Sequence, residues 1–178
     1  MSLAANRLGV SGYSGDVDDF VLALSMTRGL DEVMEVVRGR LRALVGADGI
    51  TFVLRDGDRC YYADEDAISP LWKGQRFPAS TCISGWAMQN RQAVVIEDIF
   101  ADVRIPHAAY RPTFVKSLVM TPVRMEDPIA AIGAYWAEHC SPTQRQIDIL
   151  AQVANSAAVA MTNVALQQAL DARARQVG

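Results

Sequence analysis

The residue order predicts an α+β fold: a mostly antiparallel sheet with terminal helices on one face and crossover segments on the other. Three observations carry it. Helical periodicity opens and closes the chain, the stretch between about residues 50 and 137 turns to a period of two, and tight-turn signals at Asp56-Gly57 and Glu126-Asp127-Pro128 join neighbouring strands.

The elements follow in order. Residues 1–15, with Gly9, Gly12 and Gly15 among small polar residues, read as a flexible start. Asp16 is placed to cap a first helix whose face carries Val17, Phe20, Val21, Leu24 and Ser25, and Gly29 ends it. A second helix begins near Asp31, repeats Val33, Val36, Val37, Leu41, Leu44 and Val45 at helical spacing, and meets Gly46 where a left-handed cap is wanted. Ile50, Phe52 and Leu54 then alternate with Thr51, Val53 and Arg55, and residues 59–64 return as the second strand. A short strand is expected at 75–77 between Pro70, Gly74 and Pro78. Ser84 is the expected N-cap of a helix reaching about Asn90. Val94 to Ile96 reads as a short buried strand, and 98–112 as irregular with helical parts, limited by Pro106 and Pro112. Strands at 118–125 and 129–137 pair, with Pro122 suggesting a bulge or unpaired donor and Gly133 a close packing partner. Ser141-Pro142-Thr143-Gln144 signals a helix start, and the last helix is expected over 142–173 with a 3-4 stripe of Ile147, Leu150, Ala154, Ala157, Met161 and Val164.

Composition narrows the function classes. A length of 178 residues fits one domain, here 16–173, with the long helix leading towards an output domain. The net charge of −3 lacks the basic footprint of a nucleic-acid binder. No stretch approaches the roughly 20 apolar residues of a membrane span, and no basic-then-apolar leader opens the chain. Cys60, Cys82 and Cys140 are odd in number and widely spaced, which argues against a disulfide framework and for a reducing cytoplasm. His107 and His139 make no metal-ligand spacing with them, so no metal site is expected.

The order of short motifs resembles a GAF domain, the small-molecule sensing module of many signalling proteins, over about residues 30–166. Its carriers are Leu41-Arg42-Ala43-Leu44-Val45-Gly46-Ala47-Asp48-Gly49, Ser84-Gly85-Trp86, Val94-Val95-Ile96-Glu97-Asp98-Ile99, Lys116-Ser117-Leu118 before Pro122-Val123, and Ile132-Gly133-Ala134. From Trp72 to Trp136 the chain looks most like GAF domains of bacterial two-component sensor histidine kinases. The resemblance implies a PAS-related, six-stranded antiparallel sheet with the terminal helices together on one face. It also implies a bacterial, cytoplasmic sensory domain that passes a ligand-dependent change through its terminal helices. The alternatives are a ligand-free dimerisation module and a GAF-type thiol oxidoreductase using Cys82.

Departures from family patterns matter as much. No Asn-Lys pair of the cyclic-nucleotide binders is present, and no Cys is followed by His as in bilin attachment. Haem would need more than the single loop histidine His107. A small GAF enzyme reduces free methionine sulfoxide with clustered cysteines, a pattern the spacing of these three does not reproduce. Kinase phosphoacceptor and ATP-lid motifs are missing, so no enzymatic activity and no cofactor are expected of this segment.

Phe77, Cys82, Trp86, Ile99, Tyr110, Arg111, Phe114 and Tyr135 are the expected ligand-binding residues, with no catalytic or metal-binding residue beside them. Aromatic walls suit an apolar pocket. Strand alternation separates Tyr135 from Trp136, and small Ala131 and Gly133 on the face of Tyr135 leave room there. Cys82 reads either as a thiol sensor or as a small buried hydrophobe. Arg111 is placed to hold an anion. Asp98 reads as a turn cap and Arg104 as the partner of a nearby carboxylate. The long final helix outruns its domain, which predicts a homodimer through the terminal helices.

Overall fold

The structure, a computed structural model, describes residues 8–124 and 126–177. Its strands are β1 (Gly49–Asp56), β2 (Arg59–Ala67), β3 (Arg76–Pro78), β4 (Val94–Ile96), β5 (Ser117–Val123) and β6 (Ala130–Trp136). They form one six-stranded sheet ordered β3-β2-β1-β6-β5-β4, and every neighbouring pair is antiparallel. Helices α1 (Leu8–Ser25), α2 (Leu30–Val45) and α5 (Gln144–Val177) are the terminal ones; α3 (Ile83–Asn90) and α4 (His107–Tyr110) belong to the crossovers.

The centre of the sheet is buried on both faces, and alternation decides which residue serves which. Ile50, Phe52, Ile132, Ala134 and Trp136 join one apolar cluster with Phe20 and Leu24 of α1, Val37 and Leu41 of α2, and Leu150, Val153 and Ala157 of α5. Val53, Ala131, Tyr135, Leu118 and Met120 face the second cluster, beneath the crossovers. Tyr135 and Trp136 therefore lie on opposite faces, as alternation requires.

Several local signals turn out as read. Gly46 is left-handed (φ 66°) and its turn is closed by Gly46 N–H to Ala43 O and Ala47 N–H to Arg42 O, a Schellman arrangement. Gly57 (φ 62°) closes the β1–β2 hairpin, where Asp56 opposes Arg59. Three expectations are corrected. The first helix starts at Leu8 and takes in Gly9, Gly12 and Gly15, because extending an existing helix costs less than nucleating one; residues 1–7 lie outside the described residues. The α5 cap is Thr143 with Gln146, not Ser141 with Gln144: Gln146 N–H donates to Thr143 Oγ1 at 3.2 Å and Thr143 N–H to Gln146 Oε1 at 2.8 Å. Pro122 makes no bulge; it opposes Ala131 in unbroken register, past Met120 where β4 stops and β5 becomes an edge. The bulge is instead in β2, where Phe52 opposes Asp64 but Val53 opposes Tyr62.

That bulge has a consequence for charge. Tyr62 and Asp64 are two apart and would share a face, yet the extra residue sends them to opposite ones. Tyr62 enters the crossover cluster, while Asp64, 4% exposed, takes ion pairs from Arg38 of α2 (2.9 Å) and Lys73 (3.0 Å).

Helix α5 departs from the expectation that nothing approaches a membrane span. An 18-residue window reaches mean hydropathy 1.4, so the helix qualifies by length and composition. Of that window 39% is buried, and Leu150, Val153, Ala154 and Ala157 owe their apolar character to packing on the sheet.

Candidate functional site

The crossover face carries an aromatic cluster built from four elements. Tyr62 of β2 stands edge-on to Trp72 and Phe77, both with ring centroids 5.5 Å away. Trp72 in turn meets Tyr110 at 4.6 Å and Tyr135 at 5.5 Å. Trp72 is placed by Glu65, whose carboxylate accepts backbone N–H groups from Leu71 (2.8 Å), Trp72 (2.9 Å) and Lys73 (2.6 Å). Its indole Nε1 donates to Ala109 O at 3.1 Å, tying the β2–β3 loop to α4.

Of the expected binding residues, Phe77, Cys82, Trp86, Ile99, Tyr110, Phe114 and Tyr135 gather in or against this cluster. Arg111 does not: it is exposed at the end of α4, because the turn that buries Tyr110 sends its neighbour outward. Trp86 is half-buried with the Arg104 guanidinium over its ring at 4.5 Å. The space beside Gly133 is filled by Tyr135 itself, since a Cβ on Gly133 would come within 2.4 Å of the Tyr135 hydroxyl. That hydroxyl is hydrogen-bonded to Thr51 Oγ1 at 2.8 Å. Five surface clefts among the described residues are lined by other residues, including one of about 230 Å³ near Arg55, Arg59 and Arg91.

One polar atom in the cluster is orphaned. The Tyr110 hydroxyl is buried without a hydrogen-bond partner, whereas Tyr62 OH meets Ser84 Oγ at 3.2 Å. Burial raises the pKa of Tyr62, Tyr110 and Tyr135 above the usual phenol value, so all three remain neutral at physiological pH.

Sequence reading missed Tyr62 and Trp72 as members of the site, and one feature near α3 needs correction. Its N-cap is Cys82 (φ −121°, ψ 153°); Ser84 sits inside the first turn, fully buried, with its hydroxyl 3.4 Å from Cys82 Sγ. Cys82 and Cys60 of β2 are both buried in the crossover cluster. Strand pairing is the reason: Cys60 opposes Phe77, and the chain from β3 turns directly into α3.

Asp98 and Arg104 do structural work. Asp98 Oδ1 accepts Phe100 N–H at 3.0 Å, capping a 3₁₀ turn over Ile99–Ala101. The Arg104 guanidinium holds both Asp102 oxygens (2.6 and 3.0 Å) and keeps that carboxyl below its usual pKa. His107 Nε2 lies 3.0 Å from the Asp102 carbonyl oxygen, and among the described residues no group of His, Cys, Asp and Glu is disposed to hold a metal.

A six-stranded antiparallel sheet, terminal helices on one face and an aromatic site under crossovers on the other define a small sensory-type α+β module. The GAF domain family model matches residues 27–162, and the chain belongs to that family. Solved structures agree on the fold. The GAF domain of an Acinetobacter phosphoenolpyruvate-protein phosphotransferase superposes with TM-score 0.75 at 11% identity, covering 88% of this chain and 97% of its own. Free methionine-R-sulfoxide reductase from Neisseria meningitidis, in complex with its substrate, gives 0.75 at 16% identity, with 87% and 91% covered. The phycoerythrobilin-bound GAF domain of a cyanobacterial phytochrome gives 0.71 at 15% identity, with 89% and 99% covered. No curated protein matches the chain significantly.

Proposed function

We propose that this GAF domain is the small-molecule sensor of a bacterial, cytoplasmic signalling protein of the two-component sensor-kinase kind. The observation that carries the reading is the Tyr110 hydroxyl, orphaned inside an aromatic cluster. Buried polar groups are almost always partnered, and an exception needs an explanation. A compact, largely apolar ligand with one hydrogen-bonding group would supply the partner, entering as α4 and the 99–116 crossover give way.

Transmission would run through the sheet. Tyr135 faces the ligand side, and the next residue, Trp136, donates from its indole to Gly46 O at 2.9 Å on the helical side. Gln146 of α5 donates to Val45 O at 2.8 Å, so the end of α2 and the start of α5 meet at that spot. A ligand that binds two arrangements of these helices with different affinity shifts their balance. We place the homodimer seam on the exposed α5 residues Val159, Leu166, Leu170 and Val177, at heptad-compatible spacing. The stripe from Ile147 to Met161 is committed to the domain's own core.

The close packing of the aromatic cluster favours a second reading, a dimerisation module without ligand. Native mass spectrometry after equilibration with a bacterial small-molecule extract separates them. A non-covalent adduct that is lost on denaturation and weakened in Tyr110→Phe is expected. An unliganded dimer under those conditions would overturn the sensor reading.

A further inference from the structure

We propose that the cleft between the β1–β2 hairpin, the end of α3 and the β5–β6 hairpin is a second ligand site, one that takes a small phosphate monoester. No aromatic residue lines it, and it stands or falls independently of the ligand reading above.

Four segments build the cleft. Gly57, Asp58 and Arg59 come from the turn between β1 and β2, and Asp127 and Pro128 from the turn between β5 and β6. The 3₁₀ turn Ala79–Thr81 and the last turn of α3 close the remaining sides. One wall is apolar and tightly packed: Met88 is buried, and a Cβ on Gly85 would collide with Ala79 O. Ala79 N–H donates to Asp58 O at 2.8 Å, which ties the hairpin tip to the same 3₁₀ turn. The volume of about 230 Å³ lies below the roughly 300–1,000 Å³ of sites for drug-sized molecules, and suits a phosphate carrying a short organic group.

Arginine dominates the rim. Arg55, Arg59 and Arg91 line the cleft, and Arg124 stands behind it, bonded to Asp127. Asp58 and Asp127 are the carboxylates that line it, so four cations face two anions, an excess of two positive charges. Asp127 is already shared, by Arg55 Nη1 at 2.9 Å and Arg124 Nη2 at 3.0 Å. Arg59 and Arg91 make no ion pair among the described residues. A phosphate monoester carries roughly −1.5 to −2 charges at pH 7 and accepts through three oxygens, which complements such a rim.

The backbone singles out the same place. Arg91 (φ 53°) and Arg124 (φ 68°) are the two non-glycine residues with left-handed backbone among the described residues. A residue with a Cβ is costly there, and glycine is the usual choice at a helix end such as the one Arg91 closes. The Arg124 side chain offsets that cost inside the protein: Nε donates to Asp127 O at 2.6 Å and Nη2 to Asp127 Oδ2 at 3.0 Å. The Arg91 backbone N–H closes α3 on Met88 O, but its guanidinium has no partner among the described residues. A strained arginine with a free guanidinium at the rim of a cleft is accounted for by an anion that arrives from outside.

The test follows the amide NMR spectrum of the full chain at constant ionic strength as phenyl phosphate, inorganic phosphate or benzyl alcohol is added. Phenyl phosphate should shift Gly57, Gly85, Gln89 and Arg91 saturably and bind more tightly than inorganic phosphate, while benzyl alcohol should shift none of them. Arg91→Gly should weaken phenyl phosphate by about tenfold or more, the loss of one charge-assisted hydrogen bond, and yet raise Tm by relieving the left-handed backbone. Arg59→Gln should weaken binding at unchanged Tm. The proposal is overturned if millimolar phenyl phosphate gives no saturable shift, if inorganic phosphate binds as tightly, or if both variants keep the affinity of the parent chain. Shifts centred instead on arginines elsewhere, such as Arg38 and Arg42, would mark general charge screening and overturn it as well.

Discussion

Replacing Tyr110 by Phe isolates one oxygen atom and asks whether the domain pays for burying it. The ring stays in contact with Trp72, whose centroid is 4.6 Å away, so apolar packing is preserved. What disappears is a hydroxyl without a partner. Leaving such a group unsatisfied costs about 1–3 kcal/mol. The void left by one oxygen costs much less, because the cavity penalty scales with volume. In ligand-free protein, prepared by unfolding, dialysis and refolding, Tyr110→Phe should therefore gain roughly 1–3 kcal/mol in urea unfolding at an unchanged m-value. In a chain of this size that raises Tm by about 2–4 °C per kcal/mol. With ligand bound the sign reverses, since the variant forfeits the new hydrogen bond. Destabilisation of the ligand-free protein by about 1 kcal/mol or more would refute the reasoning. It would mean that the hydroxyl is already satisfied and that the cluster is an ordinary core.

Gly133→Ala should lose about 1–3 kcal/mol in the same unfolding assay, because the new Cβ would lie 2.4 Å from Tyr135 OH and 2.7 Å from Thr51 Oγ1. Tyr62, Tyr110 and Tyr135 all have raised pKa values; the folded state favours their neutral form, and its advantage is complete below the ordinary value of 10.0. Stability should fall as pH rises past that value, with phenolate absorbance from these three appearing only on unfolding. Leu166→Glu with Leu170→Glu should shift sedimentation equilibrium towards monomer at unchanged Tm, whereas Ala157→Leu, fully buried against the sheet, should lower Tm because overpacking costs roughly 1–3 kcal/mol of stability.

What could be read from the chain was what a few adjacent residues decide by themselves. Gly46 and Gly57 announce left-handed turns, and the apolar stripes of α2 and α5 announce their buried faces. The alternation of Tyr135 and Trp136 follows from strand geometry alone. Signals with neighbouring competitors were misplaced by a residue or two. Thr143 and Gln146 make the same three-residue box as Ser141 and Gln144, and Cys82 takes the extended backbone expected of Ser84. The bulge in β2 left no mark, because Tyr62-Ala63-Asp64 reads as plain alternation until its partner strand is known.

The site itself depends on contacts between residues far apart in the chain. Glu65 positions Trp72 through three backbone N–H groups, and nothing local to either residue demands it. Cys60 and Cys82 stand 22 positions apart, a spacing that resembles no cysteine motif, and share the crossover cluster only because β3 returns along β2 before α3 begins. Tyr110 shows the same limit from the other side. Its ring was expected in a pocket wall, but only the folded arrangement, with Trp72 and Tyr135 closing around it, makes its hydroxyl the one buried side-chain oxygen or nitrogen without a partner among the described residues. The observation that best argues for a ligand is thus a property of assembled layers, and no window of sequence around Tyr110 contains it.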